Sequence, residues 1–525
     1  MIELVTLYPS IMKVLIGVII GLFILNISHF KKAFGKIKMW AWLVLLAIFL
    51  IGLGARLFLV PHTHYMYYDE YEHVNMAQNI LYSGRFCECY DGIAEQCNRC
   101  DMLGWPPGYA VLQSLVFAGF GDSEVAAFNT SAVIGALSII LMFLLTYMML
   151  KSANAALIAS LILSLSPVHL RFSGSTSPEI VSVFFVLASM ICLELYLLTK
   201  EDGPFLLFLA TLSYAVSTRP EYFILIITSL AYIAIRLKGE IFKLLNWKRL
   251  MAVILFFLML IPFAIVIANG LVSFPEDWNP SLSTRWGWLG TNLPYNLASF
   301  FNFNVVPIAM ILLAFIGCAQ LWLKDKKALA YVLFFFSSFF GVYSLSRYGI
   351  FIQDSSNMRY FIIFNIPLGI LAAAGANLIA ERLKMKKAVI LLVLSLILAA
   401  SIIPCVPFIG SRLLLQDEYD TIISMRDRLP SEVYIVAGSP ASIISTIHKK
   451  SISPYGIENR IANNTNIILF KDWIWYNHMS EKDRTRIEGL LSSRYDFSTI
   501  AEFRYGVFYN LTLKSPGYAG GNRTK

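Results

Sequence analysis

The residues best suited to chemistry stand together in Tyr67-Tyr68-Asp69-Glu70-Tyr71-Glu72, with His73 next in line. They follow directly on an apolar run at 39 to 60. A carboxylate beside a bilayer is costly unless it is solvated or in use. Ionised, it can take the proton of an attacking hydroxyl as a general base. Asp69, Glu70, His73 and the more distant Glu179 also leave a divalent cation open. A structural reading competes. Asp69 with Glu72 three residues later makes a capping box. The residues after it read as an amphipathic helix on the membrane interface, with Val74, Ala77, Ile80 and Leu81 on one side and Gly84 as its stop.

Two pentapeptides repeat further on: Ser175-Thr176-Ser177-Pro178-Glu179 and Ser217-Thr218-Arg219-Pro220-Glu221. Their spacing predicts helix starts, with Thr as cap, Pro in the first turn and Glu reaching back to a free amide. Cys87, Cys89, Cys97 and Cys100 fall in one loop, while Cys192, Cys318 and Cys405 lie in apolar runs. Four cysteines so close together suit two disulfides outside the cell, and the closing Cys-Asn-Arg-Cys also suits zinc. Either would staple the loop, which is a structural role.

The elements that hold these residues are membrane helices. The 525-residue chain is 57% hydrophobic and 14% charged, with a mean hydropathy of +0.65. Lipid is therefore the solvent for most of it. The formal charge of +9 comes from short basic clusters between apolar runs, which reads as topology and argues against nucleic acid as a partner. A span needs about 20 apolar residues. Runs of that kind lie near 9–28, 39–60, 123–150, 154–170, 179–198, 203–218, 221–236, 250–269, 303–323, 328–345, 359–380 and 388–409. This predicts a polytopic, all-α membrane protein of about twelve helices, in which 154–170 and 203–218 are short enough to be tilted or re-entrant. The first run lacks a small-residue cleavage site and reads as a membrane helix.

Lys31, Lys32, Lys36 and Lys38, then Lys151, Lys200, the Arg236 to Arg249 cluster, Lys324 to Lys327 and Arg382 to Lys387 mark alternate loops as cytoplasmic. The segments 61–122, 171–178, 270–302, 346–358 and everything after 410 are then expected outside a cell membrane. The chain divides into 1–38, a first helix and loop; 39–410, the transmembrane domain with its outer loop 61–122; and 411–525, a small α/β domain. That last domain is predicted from strand candidates at 433–437 and 505–513 and helices near 415–428 and 479–492. Sequons stand at Asn463, Asn510 and Asn522.

Several features then fall in a familiar order: the Asp69-Glu70 pair, Ala77-Gln78-Asn79-Ile80-Leu81 ending at Gly84, and Pro106-Pro107. Ser166-Pro167, Glu179 and Asn357-Met358-Arg359-Tyr360 ahead of Pro367 follow. In this the chain resembles the C-type membrane glycosyltransferases, specifically glycosyltransferase family 39, the protein O-mannosyltransferases, with the lipid A aminoarabinose transferases. The resemblance implies that fold and a sugar donated from a polyprenyl phosphate to an outside hydroxyl of a protein, glycan or lipid, with inversion. It casts Asp69 as general base beside Glu70, and Glu179 as an assisting carboxylate, although many relatives have Asp there. No cofactor is called for outright, with a divalent cation at the acidic site and zinc at the cysteines left open.

Phosphate is already a competent leaving group, so such a site needs one carboxylate and a cation. Candidates on the outer side are Arg359, with Tyr360 beside it, Arg219, Arg171, Arg285 and Arg347, whose guanidinium geometry suits phosphate. Snorkelling to lipid headgroups is their plainer reading. Trp278, Trp286, Trp288 and Tyr295 in 270–302 either cover the sugar or form an aromatic belt. Two rival functions remain. One is oligosaccharyltransferase-like glycan transfer, whose tryptophan-tryptophan-aspartate signature Asp472-Trp473-Ile474-Trp475-Tyr476 matches only loosely. The other is a multi-pass lipid or solute transporter.

Overall fold

The computed structural model describes residues 2–65, 68–101, 105–237, 246–273, 281–346, 357–383, 387–411, 416–430, 432–457, 466–477, 479–503 and 506–514. It divides into two units. The first comprises Met1–Met66, Leu103–Gly121 and Val125–Arg412, and the second Tyr67–Met102, Asp122–Glu124 and Leu413–Lys525. The loop expected to belong with the transmembrane domain is thus grouped, over 67–102, with the C-terminal residues.

The first unit is helical. Among the described residues, eight helices are long and apolar enough to cross a membrane, or nine if one bent pair counts as a span. Shorter apolar helices at Gly108–Phe120, Asp202–Val216 and Ile308–Lys324 stand beside them. The run expected at 154–170 is the bent pair: Ala153–Leu165 and Pro167–Ser173 meet at 55°. Pro167 causes the bend, because proline has no N–H to donate and its ring clashes with the carbonyl four residues back. Ser166 caps the second arm and donates to Asn365 Oδ1 at 2.8 Å, tying the bend to a neighbouring span. Ile308–Lys324 lies against Asn365–Leu383 through Gly317 and Gly375, where a Cβ on either would collide with the other helix's backbone carbonyl. Small residues let membrane helices approach this closely.

One expected loop is in part a helix. Within 270–302, Leu282–Phe300 is helical, and Asn292, Asn296 and Ser299 form its buried stripe. Asn292 donates to the carbonyls of Ser344 and Ser346, and Asn296 to Ser344 Oγ. The four-residue spacing of these amides makes a polar seam that an aromatic-rich sequence conceals. Trp286 and Tyr295 remain 59% and 45% exposed, while Trp278 lies outside the described residues.

The second unit is built on a seven-stranded mixed sheet, in the order β2-β1-β4-β3-β5-β7-β6. Its strands are β1 (Glu88–Ile93), β2 (Gln96–Asp101), β3 (Tyr434–Ala437), β4 (Ser451–Ile452), β5 (Ile467–Lys471), β6 (Tyr495–Phe503) and β7 (Gly506–Leu513). The cysteine hairpin β1–β2 extends the sheet of the C-terminal residues, pairing antiparallel with β4 at Asp91↔Ile452 and Gly92↔Ser451. The four cysteines form nested disulfides, Cys87–Cys100 and Cys89–Cys97, with Cα separations of 5.5 and 5.7 Å. No thiolate among them is left for zinc. Asn510 is exposed on β7, and the sequons at Asn463 and Asn522 lie outside the described residues.

The helix after the acidic cluster, Tyr68–Ser83, is not the interfacial amphipath its sequence suggests. Glu70, Tyr71 and His73 to Ile80 are all buried, packed on the Pro440–Ile447 helix and β1. Its polar side chains hold the hairpin: Asn79 donates to Cys87 O at 2.9 Å, and Asn75 Oδ1 accepts from Cys89 N at 2.7 Å. Asp472 is equally internal. Its two oxygens accept from the amides of Ser439 and Trp475, each at 2.8 Å, so it fixes the starts of two helices.

Glu88 is buried in β1. Burial pushes its carboxyl up to about 8, Asp101 adding to the rise and a hydrogen bond from Tyr90 opposing it. The folded state therefore keeps a proton that the unfolded chain sheds above about 4.5. Stability is highest below that point and falls as pH rises towards 8. Glu88→Gln removes this loss: its Tm should match the parent's at pH 4 and exceed it at pH 9, as read by intrinsic fluorescence in detergent. Parallel curves for the two proteins across that range would contradict the assignment.

Candidate functional site

The two repeated pentapeptides meet in the first unit. Arg219, from the second repeat, places Nη1 3.0 Å from Glu179 Oε1 of the first repeat and Nη2 2.7 Å from its own repeat's Glu221 Oε1. Ser182 Oγ, just past the first repeat, donates to Thr218 Oγ1 of the second at 2.7 Å. The expected caps are otherwise employed. Thr176 Oγ1 lies 3.2 Å from His64 Nδ1, Thr218 donates to Ala215 O, and Ser177 precedes Pro178 and donates to the Glu179 carboxylate. Pro178 and Pro220 do open helical turns, but their glutamates turn towards arginine. A buried carboxylate gains more from a guanidinium than from an amide that water or its own turn can satisfy.

Arg359 completes the group. Its Nε lies 3.6 Å from Glu179 Oε1, outside hydrogen-bond distance, and its Nη2 donates to Tyr360 Oη at 3.1 Å. The Tyr360 ring has the Arg359 guanidinium 5.0 Å and the Arg219 guanidinium 5.6 Å from its centre, and lies tilted by 32° against the Tyr343 ring at 4.9 Å. Two like charges are held close because Glu179 sits between them and an aromatic face attracts both. Two arginines balance two glutamates, with Glu179 3% exposed and Arg359 11%. All three guanidinium nitrogens of Arg219 are turned to glutamate oxygens, which fixes that side chain in place.

The other expected residues lie elsewhere. Arg171 is buried and donates to Phe408 O and Ser411 Oγ, with the rings of Tyr65 and Phe408 at 4.3 and 4.5 Å. It anchors the end of the last span. Arg285 is half-buried on the Leu282–Phe300 helix, and Arg347 lies outside the described residues. Asp69, half-buried, and Glu70, buried, are in the first turn of Tyr68–Ser83 in the second unit. Among the described residues no three His, Cys, Asp or Glu side chains gather as a metal would require.

Sequence reasoning missed Arg56. It is fully buried, in a π turn, Ala55–Leu59, that continues the Met39–Gly54 helix. Its guanidinium donates to Gly52 O, Ser164 O and Leu163 O at 2.8, 3.2 and 3.3 Å, and to His169 Nδ1 at 2.9 Å. Leu163 O is the carbonyl that Pro167 deprives of its helical partner. The signal was present as a lone arginine near the end of an apolar run followed, far downstream, by a proline inside another. The sequence does not show that they meet. For Glu221 the sequence favours a helix start, and the arginine inside its repeat is the available clue to the ion pair.

Arg219→Gln should destabilise the protein by about 3–5 kcal/mol, the usual cost of stranding buried partners of a lost charge. Adding Glu221→Gln should recover part of that, measured as Tm in detergent. Purely additive losses in the double variant would mean that the pair is not coupled.

A family model described as dolichyl-phosphate-mannose-protein mannosyltransferase matches residues 89–276. An uncharacterized protein of Aquifex aeolicus is 31% identical over 159 residues, which is 30% of this chain and 30% of that protein; the match thus spans under a third of that relative's length. Two solved structures resemble most of the chain. ArnT from Cupriavidus metallidurans bound to undecaprenyl phosphate gives a TM-score of 0.58 at 13% identity, covering 90% of this chain and 98% of that one. The oligosaccharyltransferase of Archaeoglobus fulgidus in complex with zinc and sulfate gives 0.55 at 15%, covering 89% and 73%. At these identities the likeness is one of fold, and it extends over nearly the whole chain. With the ordered motifs and the mannosyltransferase match inside it, the chain resembles the C-type membrane glycosyltransferases.

Proposed function

We propose that the chain transfers a sugar from a polyprenyl phosphate to an acceptor hydroxyl on the side of the membrane opposite the lysine-rich loops. The observation that carries this reading is the Glu179–Arg219–Arg359–Tyr360 group, a buried, pre-oriented pair of guanidiniums at the start of the Pro178–Thr199 helix. Support also comes from ArnT, solved with undecaprenyl phosphate, and from the matching family's description, which names a dolichyl-phosphate sugar and a protein acceptor.

In this reaction the acceptor oxygen attacks the anomeric carbon from the face opposite the phosphate. The bond from that carbon to the phosphate oxygen breaks, its electron pair leaves with the carrier phosphate, and configuration inverts. Asp69 takes the proton of the acceptor hydroxyl, a role that rests on the resemblance of its motif. Arg359 meets the charge growing on the departing phosphate, and Glu179 positions both arginines without touching the sugar. Oligosaccharyltransferase-like transfer is disfavoured because Asp472, the aspartate of the loosely similar motif, already spends both carboxylate oxygens on amides.

Two variants test the reading with purified protein and a panel of radiolabelled polyprenyl-phosphate sugars, mannose among them. Asp69→Asn should lower kcat by about 10²–10⁴, the usual worth of a general base, with Tm unchanged. Arg359→Ala should lower kcat/KM for the donor while leaving acceptor KM near its parent value. Undiminished turnover by Asp69→Asn would remove that residue from the mechanism, and inactivity of the parent with every donor would sink the function.

A further inference from the structure

A cavity of about 860 Å³ opens in the first unit, lined by Lys36, Lys38, Lys151, Gln320, Trp40 and the start of the Ala153–Leu165 helix, among others. It is at the opposite end of the helices from the Glu179 group. The electrostatic partners of Lys151 include Glu194, which is four turns along the Pro178–Thr199 helix from Glu179, about 22 Å at the rise of an α-helix.

The acidic groups on the cavity wall are already committed. Glu381 accepts from Lys324 at 2.5 Å and from Asn377 at 2.9 Å, and Asn377 in turn accepts from Ser152. Asp325 caps its own helix through the amides of Lys327 and Ala328. Lys36, Lys38 and Lys151 face the same space without a carboxylate within ion-pair distance among the described residues. Lys151 is held there by a left-handed backbone, φ 52°, a conformation that costs free energy for a residue other than glycine. The amides opening the 13-residue Ala153–Leu165 helix add partial positive charge. Gln320 is 5% exposed, and its Oε1 has no hydrogen-bond partner. A buried amide without a partner costs free energy unless a ligand or water answers it.

We infer that this cavity is a binding site for a phosphate-headed anionic lipid of the leaflet facing the lysine-rich loops, with Lys36, Lys38 and Lys151 on the phosphate and Gln320 on a headgroup hydroxyl. A lipid fits better than free phosphate for two reasons. The cavity is several times larger than a phosphate ion. It also opens beside Trp40, at the foot of the Met39–Gly54 helix, whose Leu43, Leu46 and Leu50 are exposed as an apolar track for acyl chains. Tryptophan at such a level is the usual marker of the lipid–water boundary.

The full-length protein in detergent, analysed by native mass spectrometry with added phosphatidylglycerol, phosphatidylcholine or inorganic phosphate, tests the inference. The parent should retain phosphatidylglycerol in preference to phosphatidylcholine. Lys36→Gln/Lys38→Gln/Lys151→Gln should reduce that retention by about tenfold or more, since each lysine near an anionic headgroup contributes measurably. Lys31→Gln/Lys32→Gln, equally basic but outside the cavity, should leave it unchanged, and Gln320→Leu should weaken phosphatidylglycerol retention with no loss of Tm. Equal losses from both lysine sets would reduce the effect to general surface charge and overturn the site. Retention of inorganic phosphate without lipid selectivity would assign the site to a free anion and overturn the lipid.

Discussion

A charge placed among membrane helices must be answered within a few ångströms, because no water is there to do it. Arg219 meets this constraint with two glutamates and shares the second arginine's environment through Glu179 and Tyr360. Arg56 meets it without any carboxylate, through three backbone carbonyls and a histidine. The two solutions have different consequences. The carboxylate-bound group pairs two arginines with two glutamates and fixes its guanidiniums at a helix start. The carbonyl-bound arginine has its donors taken up in repairing the break that Pro167 makes, and so fixes the bent pair that precedes the first pentapeptide. One buried cation is answered by side-chain carboxylates and the other by the frame around it.

The second unit obeys a related constraint with water nearby. A hairpin of two short strands has too little apolar surface to persist alone. Here it is closed by two nested disulfides, joined edge to edge with β4, and backed by the Tyr68–Ser83 helix through Asn75 and Asn79. The amides that make this helix look polar in sequence are therefore its interior contacts. Asp69 is thus carried in the first turn of a helix that is fixed on several sides.

Much of the architecture was legible. Twenty-residue apolar runs, basic clusters and two prolines in register with Ser-Thr repeats are local signals, and local signals survive without coordinates. Thus most of the long apolar helices, the short bent segment near 154–170, and the tail's strands at 434–437 and 506–513 follow from the order of residues, although eight or nine spans among the described residues stand where about twelve were expected. Strands such as β4, two residues long, and the seam of Asn292, Asn296 and Ser299 carry no comparable pattern. Leu282–Phe300 reads as loop because its glycines, proline and tryptophans suggest turns, whereas three buried polar contacts make it a helix.

The sequence by itself determined that this protein lives in lipid, where most of its helices run, and which of its motifs resemble those of the C-type glycosyltransferases. Hydropathy and short motifs are properties of neighbouring residues, so the chain order contains them. Only the tertiary structure decided that Arg219 binds the glutamates of both repeats, that Arg56 repairs the Pro167 break, and that the cysteine hairpin completes a sheet begun more than three hundred residues later. Each of these depends on which distant groups meet once water is excluded, and the pairing of buried charges and backbone carbonyls is fixed by packing and not by their spacing along the chain.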